Sequence, residues 1–345
     1  MIDLPDRISS VDQLEDLLSS PTEGVIETAS RVSGDMIFLG AGGKIGPSLA
    51  VMAKRASDSA GLSRRIFGVS RFTNQHYKAY LQDNGIETIE GDLLDRDFLE
   101  RLPDVPNVFF LAALKFGASA NPPLTWAMNV KLPGLVADKY GCSRIVTYSS
   151  GNVYPFVPAQ SAGCSEQDDP DPVGEYAQTV LGRERMFEYR SEHHGTKTTI
   201  VRLNYAVEMR YGVLVDIALK VKQGLPVNLQ NGVVNVIWQG DNNAVTLRAL
   251  GLCESPATKL NVTGIDRTSV RDTAEKFGHI FGVEPSFTDC ESDLALLADA
   301  SQATSMFGPP RVSVDQMIDW IGSWLLQDLP VFDKPTSFEV SDGRY

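Results

Sequence analysis

The fold of this chain is decided by residues 36–46, which read MIFLGAGGKIG. The apolar run predicts a buried strand, and the glycines after it open an amphipathic segment typical of a helix. Gly40 permits a tight turn, Gly43 lets the backbone approach an anion closely, and Gly46 allows the helix to pack on the strand. A P-loop is excluded because Ile45 follows Lys44, where Ser or Thr is required. The stretch therefore predicts a loop that binds the pyrophosphate of a dinucleotide.

Outward from this loop, apolar runs alternate with amphipathic segments. The predicted strands are 36–39, 66–69, 86–89, 108–113, 145–148 and 199–203, and the predicted helices lie near 45–60, 74–84, 95–102, 121–140 and 174–191. Continuous apolar strands separated by helices indicate a parallel sheet covered on both faces. The fold class is therefore α/β: a doubly wound, parallel-sheet Rossmann domain followed by a smaller C-terminal α/β substrate lobe.

The sequence divides into three segments. Residues 1–34 form a helical extension, in which Ser10 caps the first helix, and residues 35–205 form the NAD(P)-binding Rossmann domain. Residues 206–345 form the substrate lobe and a C-terminal arm. Within that lobe we predict a strand over 233–238 and another over 260–262.

Composition excludes several classes of function. The formal net charge of −13 repels phosphate backbones and anionic membranes, so neither nucleic acid nor membrane is a predicted partner. The longest apolar runs are too short to span a bilayer, and the acidic N-terminus is unlike a signal peptide, which predicts a cytoplasmic protein. The four cysteines are far apart and have no neighbouring histidine, so no metal site is predicted.

The second predicted strand ends in Ser70 and Arg71, where a site selective for NAD usually presents an acid to the ribose. A small serine followed by an arginine suits a 2′-phosphate, so NADP is favoured and NAD remains open. In the alternative interpretation, Arg71 is only a solvated loop residue.

The order of motifs resembles the extended short-chain dehydrogenase/reductase family, in its NAD-dependent epimerase/dehydratase group, over about residues 35–265. The glycine spacing is that family's, and Gly91-Asp92-Leu93 is similar to its adenine-contacting segment. Residues 111–115, LAALK, with Asn129 resemble the UDP-galactose 4-epimerases, where the lysine reaches the cofactor and the asparagine braces the site. The resemblance implies these cofactor contacts: Gly40, Gly43, Lys44, Ile45, Gly46, Ser70, Arg71, Asp92, Leu93, Leu111, Ala112, Ala113, Lys115, Asn129 and Tyr176.

Two further segments resemble the family's catalytic motifs. Residues 148–154, YSSGNVY, place Ser150 at the catalytic hydroxyl, although a serine that only caps the strand end is the alternative. Tyr176 occupies the tyrosine of the Tyr-x-x-x-Lys helix and resembles the general acid/base, although it can also be an ordinary half-buried helix residue. Val180 stands where the family has its lysine, whose ammonium lowers the pKa of the tyrosine. Arg183 and Lys115 are the candidate replacements for that cation.

The resemblance implies an NAD(P)-dependent oxidoreductase or epimerase acting on a secondary alcohol of a sugar-like substrate. Residues 234–241 lack the Arg-Asp-aromatic pattern that binds a nucleotide-sugar diphosphate, which leaves a smaller sugar, sugar acid or polyol as an equally good candidate. The missing lysine motivates an alternative, a catalytically silent NADP-binding sensor or scaffold. The resemblance also implies a homodimer formed by the helices near 121–140 and 174–191, whose apolar residues include Val136, Val180 and Phe187.

Overall fold

The computed structural model describes residues 4–332 and 334–343, and a seven-stranded sheet lies at its centre. All neighbouring strands of this sheet are parallel, in the order β3-β2-β1-β4-β5-β6-β7. The strands are β1 Met36–Leu39, β2 Ile66–Ser70, β3 Glu87–Glu90, β4 Asn107–Phe110, β5 Arg144–Ser150, β6 Thr198–Leu203 and β7 Thr258–Val262. The sheet confirms the predicted doubly wound Rossmann fold.

The strand order places a crevice beside β1. The chain builds β2 and β3 to one side of β1 and then returns to build β4 to β7 on the other side. The connections that leave the carboxyl ends of β1 and β4 therefore diverge, and doubly wound proteins bind ligands at such a switch point. The glycine loop follows β1 and the segment 111–121 follows β4, so both border this crevice.

Helices cover both faces of the sheet because the side chains of each strand alternate between the faces. Met36 and Phe38 join one core with the helices 23–31, 46–59 and 239–248, whereas Ile37 and Leu39 join another with the helices 96–101, 132–139 and 174–194. The helices are α1 Val11–Leu18, α2 Glu23–Arg31, α3 Gly46–Ser59, α4 Gln75–Asp83, α5 Arg96–Arg101, α6 Pro122–Trp126, α7 Leu132–Lys139, α8 Gly174–His194, α9 Val213–Lys222, α10 Gln239–Arg248, α11 Val270–Phe281, α12 Ser301–Phe307 and α13 Val314–Leu326. None of these described helices is both long and apolar enough to cross a membrane.

Three sequence predictions differ from the structure. The single helix predicted near 121–140 is α6 and α7 joined by a π-helical turn, Ala127–Lys131, because Pro133 has no N–H with which to continue the helical hydrogen bonds. The strand predicted over 233–238 is two short strands, Val233–Val234 and Ile237–Trp238, in separate small sheets. The strand predicted over 260–262 is part of β7 and pairs with β6 in the central sheet. The division at residue 205 had placed it in the substrate lobe.

The N-terminal extension packs against both halves of the chain. As predicted, Ser10 caps α1 by accepting a hydrogen bond from the backbone N–H of Gln13. Leu14 of α1 enters the core formed by α9, α11 and α13, whereas Val25 of α2 enters the core on one face of the central sheet. Glu15 also forms a buried ion pair of 2.7 Å with Arg210, beyond the end of β6. The extension is therefore an integral part of the fold.

The described part of the C-terminal tail is an extended arm that lies on the second lobe. The backbone N–H of Phe332 donates to the carbonyl of Arg210, and the Phe338 side chain is buried in the core of that lobe. Thr336 donates two hydrogen bonds, of 2.7 and 2.5 Å, to the carboxylate of Asp216 in α9. The arm thus covers the lobe on the side that carries Asp216.

Candidate active site

The three motif glycines differ in what surrounds them. A Cβ on Gly40, whose φ is +100°, would lie 2.6 Å from the backbone nitrogen of Ala112, and one on Gly46 would lie 2.5 Å from the carbonyl oxygen of Ala41. Both positions therefore require glycine for packing. A Cβ on Gly43 would meet only the carbonyl oxygen of Gly40, at 3.5 Å, so the loop is open there. This open position at the start of α3 suits the close approach of a pyrophosphate.

Lys44 turns from the glycine loop toward the second lobe. Its Nζ lies 2.7 Å from the centre of the Tyr211 ring, and it forms no ion pair with a carboxylate in the described part of the chain. Burial, and next the charge of Lys115, hold the pKa of Lys44 well below its usual range. Two lysines thus come together at the switch point, where an anionic ligand would relieve their repulsion.

Ser70 and Arg71 lie beside the glycine loop at the end of β2. The Ser70 hydroxyl is so close to Gly42 that a Cβ there would lie 2.5 Å from its Oγ. Ser70 Oγ also accepts a hydrogen bond of 3.3 Å from the backbone N–H of Phe72. Arg71, the next residue, is exposed.

The predicted adenine contacts separate into one surface and one core residue. Asp92 is exposed, and its Oδ1 accepts a hydrogen bond of 2.9 Å from the backbone N–H of Leu94. Leu93 is buried in the core beneath the sheet, with Leu39 and Val69. Of these two residues, only Asp92 therefore has an exposed side chain.

Asn129 holds the segment that follows β4. Its Oδ1 accepts from the backbone N–H of Leu114 and its Nδ2 donates to the carbonyl of Leu114, both at 2.9 Å. Nδ2 also donates to the hydroxyl of Thr179 in α8, at 3.0 Å. Because these bonds occupy its buried amide, Asn129 fixes the backbone that carries Lys115. Leu111 and Ala112, at the start of the same segment, border the glycine loop.

Ser150, rather than Ser149, is the hydroxyl beside Tyr176. The Ser149 hydroxyl donates to the buried carboxylate of Glu184, which also pairs with Arg202. Ser150 Oγ donates to Oδ1 of Asn152, at 2.8 Å, and it shares a hydrogen bond with the Tyr176 side chain. The two serines therefore have different environments although they are neighbours in sequence.

Tyr176 is buried near two cations. Nζ of Lys115 lies 5.7 Å from the centre of the Tyr176 ring. Burial raises the pKa of Tyr176, while the charge of Arg183 and the hydrogen bond with Ser150 act in the opposite direction. Burial also lowers the pKa of Lys115, to about 8. A tyrosine, a serine and a lysine of depressed pKa thus share one cleft.

Val180 occupies the lysine position of the motif and faces an apolar core. It is fully buried with Val153, Tyr154 and Leu296. Arg183, one turn further along α8, is the buried cation near the tyrosine: it donates to the carbonyl of Tyr148, at 2.8 Å, and to Oδ1 of Asn129, at 3.1 Å. Two other cations therefore lie near Tyr176: Arg183 of α8 and Lys115 of the segment after β4.

Tyr211 and Asp216 also belong to this cleft, and no sequence motif predicted them. Tyr211 lies over Lys44, and burial followed by the charge of Asp216 raises its pKa. Phe116 packs edge-on against Tyr211, with the ring centres 6.5 Å apart. These residues reach the cleft from the second lobe and from the loop after β4, so only their contacts in the folded chain identify them.

The fold and this cleft together define a dinucleotide-binding protein with a tyrosine and serine site at its switch point. The family model for the NAD-dependent epimerase/dehydratase family matches residues 36–208. The chain belongs to this family, and it is accordingly an NAD-dependent enzyme of the epimerase and dehydratase class. No curated protein matches the chain at a significant level.

Solved structures share this architecture at low sequence identity. MoeE5, in complex with UDP-glucose and NAD, is 20% identical with a TM-score of 0.68, over 86% of this chain and 99% of its own. UDP-glucose 4-epimerase from Thermotoga maritima, with UDP-glucose, is 18% identical with a TM-score of 0.70, over 85% of this chain and 99% of its own. UDP-glucuronic acid 4-epimerase from Bacillus cereus, in complex with NAD, has the same identity, TM-score and coverage. At these identities the likeness establishes the fold.

Proposed function

We propose that the protein uses a nicotinamide dinucleotide to oxidise a secondary alcohol of a sugar-like substrate, and that Tyr176 exchanges the hydroxyl proton. The observation that carries this proposal is the position of the Tyr176 side chain, which is hydrogen-bonded to Ser150 and lies close to both Lys115 and Arg183. A phenol flanked by a hydroxyl and by cations can accept a proton from an alcohol and return it to a carbonyl oxygen.

Lys115 takes the electrostatic role of the missing family lysine in this proposal. Nζ of Lys115 lies 5.7 Å from the centre of the Tyr176 ring, so its positive charge favours the phenolate form of the tyrosine. The stabilisation of the phenolate lasts while Lys115 is protonated, that is, below a pH of about 8. The positive charge of Arg183, which also lowers the pKa of Tyr176, adds to the effect.

The glycine loop fits the dinucleotide that this chemistry requires. Gly43 leaves the loop open, and the amines of Lys44 and Lys115 lie near it, where a bound anion would favour their charged forms. When bound, the cofactor supplies the hydride acceptor at its nicotinamide ring. The residues of the chain bind the pyrophosphate at Gly43, orient the substrate oxygen through Ser150 and hold the transferred proton at the Tyr176 oxygen.

A preference for NADP over NAD is the finer part of the proposal. Arg71 is exposed beside the loop, and a guanidinium matches a phosphate better than it matches a ribose hydroxyl. We expect NADP to bind more tightly than NAD, and Arg71→Ala to remove the difference. Equal affinities in the unmodified protein, measured by titration calorimetry, would contradict the preference.

The substrate in this proposal lacks a nucleotide diphosphate. Residues 234–241 contain no arginine or lysine, and Val234, Asn235 and Val236 are buried. The amide of Asn235 is also occupied, because its Nδ2 donates to the carbonyl of Ala298, at 2.6 Å, and its Oδ1 accepts from Asn204, at 2.7 Å. A free sugar, sugar acid or polyol needs no fork-shaped cation at this position.

Turnover of a substrate panel tests the function. The purified chain is incubated with NAD or NADP and with free sugars, sugar acids, polyols and UDP-sugars; reduction of the cofactor is followed by absorbance, and epimerised or dehydrated products are followed by chromatography. In Tyr176→Phe we expect at least a hundredfold loss of turnover with little change in dinucleotide affinity, since general acid–base catalysis contributes about that much or more. Tyr189→Phe, at an exposed tyrosine of the same helix, is the matched control.

The result can contradict the proposal in two ways. Undiminished turnover in Tyr176→Phe would show that another group exchanges the proton. Tight dinucleotide binding without turnover of any compound would favour the silent sensor or scaffold. In Lys115→Met we expect the acidic limb of the pH–rate profile for alcohol oxidation, which follows the deprotonation of Tyr176, to move upward, whereas Lys131→Met, at an exposed lysine, should leave it in place.

A homodimer is also proposed, but not through all the residues that the sequence suggested. Val136, Val180 and Phe187 are fully buried within their own chain, because they pack on the sheet and on the core beside it. Leu124 and Trp126 in α6 remain more than two-fifths exposed and are available to a partner. Light scattering that shows only a particle of 37.7 kDa would contradict the dimer.

A further inference from the structure

The described part of the chain contains a second cavity, away from the glycine loop and Tyr176. Its volume is about 680 Å³. Its walls are the start of α2 with Pro21 and Thr22 before it, one side of α10, and the end of α12 with residues 308–311. No residue of the glycine loop lines it, and neither do Ser150, Tyr176 or Lys115. The cavity is therefore distinct from the candidate active site.

The cavity is large enough for a small molecule and mainly apolar. Pockets that hold small organic ligands usually measure about 300–1,000 Å³ and carry a few polar groups among apolar walls. The apolar lining residues come from all three walls and from the end of β7: Ile26, Ala244, Val245, Val262, Phe307 and Pro310. These walls favour the burial of an apolar group.

Arg248 is the cation of this cavity that lacks an anionic partner. It is half-buried, its Nη1 donates to the carbonyl of Phe307, at 2.9 Å, and its guanidinium carbon lies 4.3 Å from the centre of the Phe307 ring. Among residues 4–332 and 334–343 it forms no ion pair, and burial lowers its pKa. The nearby carboxylate of Glu27 is engaged by Arg31.

The other charged groups of the lining are already paired or in solvent. Arg311 donates to Oδ1 of Asp241, at 2.8 Å, and Oδ2 of Asp241 accepts from the backbone N–H groups of Arg311 and Val312. Glu23 is exposed at the start of α2. The cavity thus presents an apolar interior and one guanidinium, that of Arg248, which forms no ion pair among the described residues.

We propose that this cavity is a binding site for a small amphipathic carboxylate, whose anionic end pairs with Arg248 and whose apolar part packs against α10 and α12. A guanidinium and a carboxylate form strong, geometrically specific hydrogen bonds in a partly desolvated site. The family match covers residues 36–208, so all three helices that wall the cavity, α2, α10 and α12, lie outside it. The proposal goes beyond the function of the Tyr176 site and does not depend on it.

Titration calorimetry of the full chain with hexanoate, octanoate and decanoate tests the apolar part of the site. We expect saturable binding at one site, tightening about fourfold with each added methylene. In Val245→Trp, which fills the cavity, affinity should fall at least tenfold. Thr304→Trp fills the same space from α12, and it serves as the test if Val245→Trp fails to fold.

Arg248→Met tests the charged part, because it keeps an apolar stem and removes the guanidinium. We expect octanoate to bind at least tenfold more weakly and 1-octanol to bind within threefold of its original affinity. Arg101→Met, on α5 at the opposite face of the sheet, makes the same change in net charge and should alter neither the octanoate affinity nor the octanol affinity.

Three results would overturn the proposal. In the first, none of the three carboxylates binds saturably. In the second, both tryptophan variants keep the original affinity. In the third, Arg248→Met loses as much affinity for octanol as for octanoate. The first two would exclude the site, and the third would exclude recognition of the carboxylate by Arg248.

Discussion

The replacement Gly43→Ala tests whether the glycine loop is needed for dinucleotide binding or for the stability of the fold. The φ of Gly43 lies outside the left-handed region, and an added Cβ meets only the carbonyl oxygen of Gly40, at 3.5 Å. Alanine can therefore adopt the native backbone without a clash. Since alanine also has fewer conformations in the unfolded chain, we expect Gly43→Ala to leave the free energy of unfolding unchanged or to raise it by up to about 1 kcal/mol.

The same methyl group should weaken dinucleotide binding, because it fills the space that the pyrophosphate needs. A backbone hydrogen bond to a charged group contributes about 1.5–3 kcal/mol, and the loss of one such bond corresponds to a decrease in affinity of about ten- to a hundredfold. Gly46→Ala is the matched comparison, since its Cβ would lie 2.5 Å from the carbonyl oxygen of Ala41. We expect it to lower the free energy of unfolding by about 1–3 kcal/mol, because that backbone must shift.

Urea denaturation followed by circular dichroism gives the free energies of unfolding, and titration calorimetry gives the affinities for NAD and NADP. The reasoning is refuted if Gly43→Ala binds both dinucleotides as tightly as the unmodified chain. It is equally refuted if Gly43→Ala is destabilised as much as Gly46→Ala, because the open space at Gly43 would then not exist.

Three further changes follow from buried groups. Val180→Lys should not restore a catalytic lysine, because it buries an ammonium in an apolar core, where the pKa of the new lysine is depressed. We expect the loss of stability to be largest at pH values below the pKa of this lysine in the folded chain, and to shrink as pH rises toward its pKa in the unfolded chain. A pH-independent loss in urea titrations would contradict this. Glu184→Leu leaves Arg202, fully buried in a 2.7 Å ion pair, without its carboxylate, and should cost about 3–5 kcal/mol of unfolding free energy. The double variant with Arg202→Leu should recover most of that loss, and a double variant no more stable than Glu184→Leu would show that packing, not charge, dominates.

The sequence by itself determined the central sheet, because its signals are local. An apolar strand followed at once by glycines and a helix specifies a turn that few other arrangements satisfy, and β1 has the predicted bounds, Met36–Leu39. The other strands of the Rossmann half were placed to within three residues at each end, since runs buried on both faces are continuous and apolar. The capped helix after Ser10 was predicted for the same reason, because a cap is a contact between close neighbours.

The sequence also identified which family motifs are present and which one is changed, but it could not show which cations lie near Tyr176. Val180 predicts an absent charge and gives no indication of where another cation lies. Arg183 and Lys115 were candidates of equal standing, since their distances from Tyr176 depend on how α8 packs against the segment after β4.

Only the tertiary structure decided the features made by residues far apart in the chain. β7 extends the central sheet because it pairs with β6, a contact that no local pattern contains. Tyr211 reaches the glycine loop from the second lobe, and α2 meets α10 and α12 around a cavity although more than 200 positions separate them. Such contacts depend on the packing of whole elements, whereas hydrophobic period and glycine spacing report only on the elements themselves.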